Sequence, residues 1–119
     1  MCYEEATRPS ADLARTWFDL GRVLDELGES DKAIAAFRSA LAAQADFPEA
    51  LQALGASALR TGDLEVAAEA FGQLRTLHPE TRAGHLGLAR VFRRRRDFAS
   101  ARACLALARK LPKAVGAKH

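Results

Sequence analysis

Apolar residues recur at intervals of three and four along most of this chain, and that spacing gathers them on one face of an α-helix. In the first such segment the face consists of Trp17, Leu20, Gly21 and Leu24. We expect this helix to run from Ala11 to about Leu27, with Ser10 as its N-cap. Gly28 then ends it, because the residue after a helix often needs a positive φ. A second helix follows, and Ser30 can serve as its N-cap.

The same helix pair occurs twice more at a spacing of 34 residues, and we call each pair a repeat. The shift superimposes Gly28 on Gly62, and Asp63 can cap the helix that follows Gly62. Pro48 starts the second repeat at a place where its missing N–H costs nothing. Small and aromatic residues keep the same register, namely Gly21 and Gly55, Ala33, Ala67 and Ala101, and Phe37 and Phe71. The small residues predict close contacts between antiparallel helices, with the phenylalanines filling the gap to the next repeat.

The third repeat departs from this pattern. Arg96 stands at the position of the two turn glycines, where a positive φ would cost an arginine about 1 kcal/mol. His85 stands at the position of Trp17, and Gly84 and Gly87 lie inside the expected fifth helix. Each of these glycines costs up to about 1 kcal/mol relative to alanine. We therefore expect the third repeat to be the least stable or the most distorted.

The period and these residue types resemble the tetratricopeptide repeat, over about residues 14–113. The resemblance implies an all-α fold in which three stacked helix-turn-helix hairpins form a short right-handed superhelical array. We expect a single domain over residues 11–111, with repeats at about 14–47, 48–81 and 82–113. An N-terminal tail of residues 1–10 and a frayed C-terminal tail of residues 112–119 would flank it.

In that family the first helix of each repeat lines a concave groove that holds a peptide or a helix of another protein. Matched by position, the groove of this chain consists of Arg15, Phe18, Asp19, Arg22, Gln52, Ala53, Ala56, Leu86, Gly87 and Arg90. Its middle is small and apolar and its rim is Phe18 and arginines, which favours an apolar or amphipathic partner with some acidic character. One subclass of the family binds the C-terminal carboxylate of heat-shock chaperones through lysine, asparagine and arginine. Arg22 and Ala53 replace the asparagines here, and the chain has no asparagine, so we exclude that subclass.

The net charge of +3 conceals an uneven distribution. Residues 1–47 hold nine acidic and five basic residues, and residues 48–81 hold five and two, so their net charges are −4 and −3. Residues 82–119 hold one acidic and eleven basic residues, a net charge of +10. The most strongly basic part of this end is the run Arg93, Arg94, Arg95 and Arg96. The run suits a solvated helix end, a contact for an acidic protein or a contact for nucleic acid.

Nucleic-acid binding is disfavoured because only Phe92 and Phe98 flank the arginine run, and both fall at expected core positions. No catalytic constellation, phosphate loop or metal-ligand spacing is present, so we expect no enzyme and no cofactor. We interpret His85 and Cys104 as core residues. The two cysteines make no disulfide framework, and no apolar run approaches the ~20 residues of a membrane span, so we expect a cytoplasmic protein.

The resemblance implies a non-catalytic protein–protein interaction module, either an adaptor or a chaperone of the kind that serves bacterial secretion. Two alternatives stay open: a docking fragment of a larger enzyme or secretion component, and a basic C-terminal surface that binds nucleic acid or an anionic partner. In the last helix, Phe98, Ala101 and Leu105 would have no following helix to cover them. Arg102 and Arg109 can give that end a polar outer face, so we expect a monomer or weak self-association.

Overall fold

The computed structural model describes residues 2–111, with side chains from Asp12 onward. In this described part the chain forms α-helices and no β-strand. The helices are α1 (Cys2–Glu26), α2 (Ser30–Ala43), α3 (Pro48–Thr61), α4 (Leu64–Leu77), α5 (Arg82–Arg94) and α6 (Phe98–Arg109). The all-α fold of three helical hairpins is confirmed. The expected C-terminal tail of residues 112–119 lies outside the described residues.

The helices contact one another in the order in which they occur in the chain. Each hairpin packs its own two helices together, and α2 packs on α3 as α4 packs on α5. The first helices α1, α3 and α5 also touch in sequence, so they form one layer and the second helices form the other. The resulting stack is elongated, with principal extents of 52 × 36 × 22 Å.

One turn geometry closes all three hairpins. Gly28, Gly62 and Arg96 have φ values of 85°, 86° and 66°, which lie in the left-handed region. The residue after each of them donates its N–H to a carbonyl five positions earlier; the Asp63–Ala58 and Asp97–Phe92 bonds are both 2.8 Å long. This pattern is the Schellman motif, which satisfies carbonyls left free at a helix end. The positive φ expected at Arg96 is therefore confirmed.

Helix starts differ from expectation in two places. α1 begins at Cys2 and runs through Ser10, so the assignment of Ser10 as its N-cap was wrong. The helix-forming residues Glu4, Glu5 and Ala6 explain why the helix extends towards the N-terminus. Ser30 is the first residue of α2 rather than its cap, and Glu29 at the cap position makes no side-chain cap hydrogen bond. Asp63 does cap α4, because its carboxylate accepts the N–H of Val66 at 3.3 Å.

The interior is built by phenylalanine rings that lie against glycines. A Cβ atom on Gly21 would lie 2.6 Å from the ring of Phe37, and one on Gly55 would lie 2.5 Å from the ring of Phe71. Only glycine therefore fits at these two positions. Ala33 and Ala67 are fully buried beside these contacts, as the small-residue register predicts.

The third repeat is not interrupted by its glycines. α5 is continuous, and Gly87 faces the ring of Phe71 while Gly84 faces the backbone of Arg75. A Cβ on Gly84 would lie 2.7 Å from the backbone nitrogen of Arg75. The two glycines thus let α4 and α5 approach closely, and Phe71 fills the gap between the second and third repeats as expected.

The last repeat buries His85 and part of the apolar face of α6. His85 is buried, and its Nε2 lies 3.1 Å from the carbonyl oxygen of Pro79, so it is a core histidine that donates from Nε2. Ala101 is buried and Leu105 half-buried, so the expectation that both would be uncovered was wrong. Their burial comes from α5, which packs against α6 within the same hairpin. Phe98 is the one residue of the three that is exposed.

Candidate partner-binding surface

The layer of first helices exposes one stripe of residues on each helix. On α3 the exposed or half-buried positions are Glu49, Gln52, Ala53, Ala56 and Arg60, which recur at intervals of three and four. The same register exposes Arg15, Asp19 and Arg22 on α1, and Leu86 and Arg90 on α5. We call these three stripes together the first-helix face. Eight of the ten residues assigned to the groove from sequence have accessible side chains on it.

Phe18 and Gly87 are the two exceptions. Phe18 is buried, with its ring centroid 5.8 Å from that of Phe37 and 5.1 Å from that of Phe47. Its assignment to the groove rim was wrong, because Phe47, in the loop after α2, folds back and covers it. Gly87 is buried under Phe71, so it offers no surface to a partner.

Arginines cover the buried Phe18 from the solvent side. The Arg15 guanidinium carbon lies 5.6 Å from the ring centroids of both Phe18 and Phe47, and that of Arg22 lies 5.8 Å from the Phe18 ring. At exposed sites each such cation–π contact contributes about 0.5–1 kcal/mol. The α1 part of the first-helix face is therefore charged rather than aromatic.

The basic end contains a cavity that the sequence did not predict. Its volume is about 390 Å³, and its walls are Leu59, Arg90, Arg93, Arg94 and Phe98. Phe98 was expected in the core, but its position corresponds to Ser30 and Leu64, the first residues of α2 and α4, where burial is only partial. The 34-residue register was therefore the sequence signal that could have indicated an exposed Phe98. The cavity combines an exposed aromatic ring with arginine side chains.

The arginine run is not uniformly free. Arg94 donates from Nη1 to the carbonyl oxygen of Leu59 in the preceding repeat at 2.9 Å. Arg60 makes the corresponding contact one repeat earlier, because it pairs with Asp25 at the same separation of 35 residues along the chain. Arg94 thus connects two repeats, although it is exposed to solvent like Arg93, Arg95 and Arg96.

Two ionisable groups lie outside this surface. His78 Nε2 lies 2.7 Å from Asp46 Oδ1, and this hydrogen bond raises the pKa of His78 above its usual 6.5. Burial raises the pKa of the Cys104 thiol, against a smaller opposite effect of Arg75, so Cys104 is a core residue as expected. Among the described residues, no three His, Cys, Asp or Glu side chains gather where they could hold a metal ion.

The sequence profile of the tetratricopeptide repeat matches residues 2–50, 18–71 and 53–115, which together span nearly the whole chain. The chain belongs to the tetratricopeptide repeat family. Tetratricopeptide repeats are in general non-catalytic modules of protein–protein interaction. None of the curated proteins matches the chain. No helix within residues 2–111 has the length and apolar character needed to cross a membrane.

A solved structure supports the same family. The crystal structure of a thermophilic tetratricopeptide-repeat protein from Thermus thermophilus aligns with a TM-score of 0.70 and 25% sequence identity. The alignment covers 82% of this chain and 56% of that protein, so the chain matches a little over half of its length.

Proposed function

We propose that this tetratricopeptide-repeat chain binds a segment of another protein along its first-helix face. The observation that carries the proposal is that this face exposes Leu86 on α5 and has the half-buried Ala53 and Ala56 on α3, the helix that α5 contacts. Small side chains at the centre let a bound backbone come close, and a leucine gives it apolar surface to cover. An amphipathic helix or an extended peptide is the kind of segment that uses such a surface.

The charges around this centre favour an acidic segment. Arginines outnumber the acidic residues on the face, since Arg15, Arg22, Arg60 and Arg90 are exposed there against Asp19 and Glu49. Arg93 continues the basic series into the cavity beside Phe98. Opposite charges that meet at the rim of an interface raise the association rate and select partners, while the apolar centre contributes more of the affinity. We therefore propose a partner segment with apolar residues and acidic neighbours, in an adaptor or secretion-chaperone role.

Leu86→Glu and Ala53→Glu test this proposal. Partners are captured on the purified chain and identified by mass spectrometry, and the affinity of one captured partner is then measured for each variant. We expect both variants to lose at least about tenfold in affinity, because each places a carboxylate in the apolar centre. Helical circular dichroism must stay at the wild-type value.

Leu77→Glu is the matched control. Leu77 is 46% exposed and Leu86 is 39% exposed, but Leu77 lies at the end of α4, outside the first-helix face. The control should bind as the wild type does. Wild-type affinity in both face variants would contradict the proposal, and an equal loss in Leu77→Glu would show that added negative charge alone weakens binding.

A second candidate function is an anionic contact at the basic end, with nucleic acid as the ligand. The observation in its favour is Phe98, which is 52% exposed next to Arg90 and Arg93 and could stack on a base. Binding of a labelled single-stranded oligonucleotide should then weaken steeply with salt and fall in Phe98→Ala. Binding that keeps its strength in Phe98→Ala would leave only non-specific attraction by the arginines.

A further inference from the structure

α1 carries an uncovered apolar stripe on the side away from α2. Leu13, Leu20, Val23 and Leu27 are 51%, 43%, 51% and 71% exposed. Their spacing of seven, three and four residues places them on one helix face. We call these four residues the α1 stripe.

The 34-residue register shows that this face is the one that a second helix covers elsewhere in the molecule. This holds for Leu20 and Val23 of the stripe, because Phe47, at the position of Leu13, lies against Phe18 of α1, and Thr61 and Arg95, at the position of Leu27, are exposed. Leu54 and Ser57 stand at the positions of Leu20 and Val23 and are 6% and 0% exposed. In the third repeat, Leu88 and Val91 are 5% and 0% exposed. These positions are buried because α2 packs on α3 and α4 packs on α5. Within the described residues, no second helix packs on the α1 stripe.

The α4–α5 contact defines how such a helix would lie. The ring of Phe71 meets Gly87, and the backbone of Arg75 meets Gly84, so the two helices run in opposite directions. Leu105 and Arg109 of α6 correspond to Phe71 and Arg75 by the 34-residue shift. α6 therefore has residues at the positions with which α4 packs on α5, but no first helix follows α6 among residues 2–111. Arg75 shows that an arginine is compatible with the position of Arg109.

The same register places opposite charges together when α6 of a second copy is laid on α1. Thr16 and Asp19 correspond to Gly84 and Gly87, so Leu105 would lie near Asp19 and Arg109 near Thr16. Because a Cβ at either glycine would collide with α4, the side chains of Thr16 and Asp19 would hold α6 of the second copy farther from α1 than α4 lies from α5. Arg109 then falls between Asp12 and Asp19, and Arg102, two turns earlier, falls between Asp19 and Glu26. Arg15 and Arg22 lie in the same two intervals, but their guanidinium groups lie over the Phe18 ring. These residues are all exposed. The acids repeat every seven residues along α1, and the two arginines are also seven apart along α6.

We propose that a second copy of this chain docks its α6 on the α1 stripe, so that copies associate head to tail. The interface joins two different surfaces, so it leaves one of each free and can be repeated. Symmetric arrangements fit the charges less well. Antiparallel pairing of two α1 helices brings Asp19 against Asp19 of the second copy. Pairing of two α6 helices brings Arg102 and Arg109 against the same arginines of the second copy. The association is salt-sensitive, because these charges lie at an exposed rim. This surface borders the first-helix face at Asp19, but it uses none of Ala53, Ala56 and Leu86, so it goes beyond the proposed function.

Sedimentation of two half-blocked variants tests the geometry. Leu20→Glu disables the α1 stripe and leaves α6 intact, and Arg102→Glu disables α6 and leaves the α1 stripe intact. The wild type should exceed the monomer mass of 12.9 kDa as its concentration rises, and its association should weaken at least about fivefold between low and high salt. Each variant alone should stay at the monomer mass. Their equimolar mixture should form a complex of two copies and stop there, because only one productive interface remains.

Arg38→Glu is the matched control, since it makes the same charge change at an exposed position on α2. The control and the face variant Leu86→Glu should both associate as the wild type does, which separates this proposal from the proposed function. A wild type that stays at 12.9 kDa at every concentration overturns the proposal, and the α1 stripe would then serve a different protein. A variant mixture that stays monomeric overturns it too, as does a Leu20→Glu or Arg102→Glu variant that associates by itself. Helical circular dichroism at the wild-type value confirms that each variant is folded.

Discussion

Among the described residues, Arg96 is the one non-glycine residue with a positive φ. It lies at 66°, in a turn where the two equivalent residues are glycines. An L-residue with a side chain is destabilised by about 1 kcal/mol in this conformation, and glycine offsets part of that difference through the greater freedom of the unfolded chain. Arg96→Gly should therefore raise the free energy of unfolding by about 0.5–1 kcal/mol, measured by urea denaturation.

Arg95→Gly is the control for this prediction. Arg95 has a φ of −84°, so a glycine there gains nothing and should lower the free energy of unfolding by up to about 1 kcal/mol. Both variants remove one positive charge from the same run. Stabilisation of similar size in both would show that charge repulsion, and not backbone strain, limits the stability of this turn.

Gly55 is a residue whose missing side chain makes room for an aromatic ring. Gly55→Ala puts a methyl group 2.5 Å from the ring of Phe71, which must move, so we expect a loss of about 1–3 kcal/mol in the free energy of unfolding. Gly72→Ala is the matched change on α4, with no atom within 4 Å of the added carbon. It should stabilise the chain by about 0.5–1 kcal/mol. Urea denaturation of both variants measures the difference, and equal effects would contradict the packing described for Phe71.

At the scale of elements, the contacts between repeats matter as much as those within a hairpin. The bond from Arg94 to Leu59 and the pair of Arg60 with Asp25 connect adjacent first helices at their C-terminal ends. On the side of the molecule where the second helices end, His78 in the loop after α4 contacts Asp46 in the loop after α2. The first and second repeats are therefore held together at both ends of their helices.

The His78–Asp46 contact makes the junction between the loops sensitive to pH. Its hydrogen bond raises the pKa of His78 in the folded state above 6.5, so it stabilises the fold fully below that value. The contribution is lost as the pH rises through the raised pKa. The wild type should therefore exceed Asp46→Asn in melting temperature at about pH 6 by more than it does at about pH 8.5. NMR titration of the His78 ring should also give a lower pKa in Asp46→Asn, and equal values would exclude Asp46 as the cause.

The helices and their turns could be predicted from the sequence because they depend on local signals. The turns could be placed because Gly28, Gly62 and Arg96 follow one another at a spacing of 34 residues. Small residues at the same spacing indicate the close contacts between helices. The start of α1 could not be placed, since a serine that fits an N-cap also occurs inside helices. The burial of Phe18 and the exposure of Phe98 depend on how a loop and a helix end lie in three dimensions. Of the groove residues expected from the register, Phe18 and Gly87 are buried and the others are accessible. That a partner binds at them stays a prediction.

At the scale of the whole molecule, each helix contacts mainly its neighbours in the chain, so stability is close to a sum over repeats and the junctions between them. Charge is distributed along this stack, from −4 over residues 1–47 to +10 over residues 82–119. An acidic partner segment on the first-helix face would therefore be drawn towards the third repeat. The contact with a second copy would instead use both ends of the charge gradient.

The two glycines of α5 also limit how a gene encoding this chain could lengthen. A tandem duplication of residues 48–81 would place a copy of α3 after α4, with Ala50 and Ala53 at the positions of Gly84 and Gly87. A Cβ at the first of these positions would lie 2.7 Å from the backbone of Arg75, and one at the second would collide with the ring of Phe71. The copied helix would therefore have to lie farther from α4 than α5 does. The repeats are therefore not interchangeable, although they share a period of 34 residues.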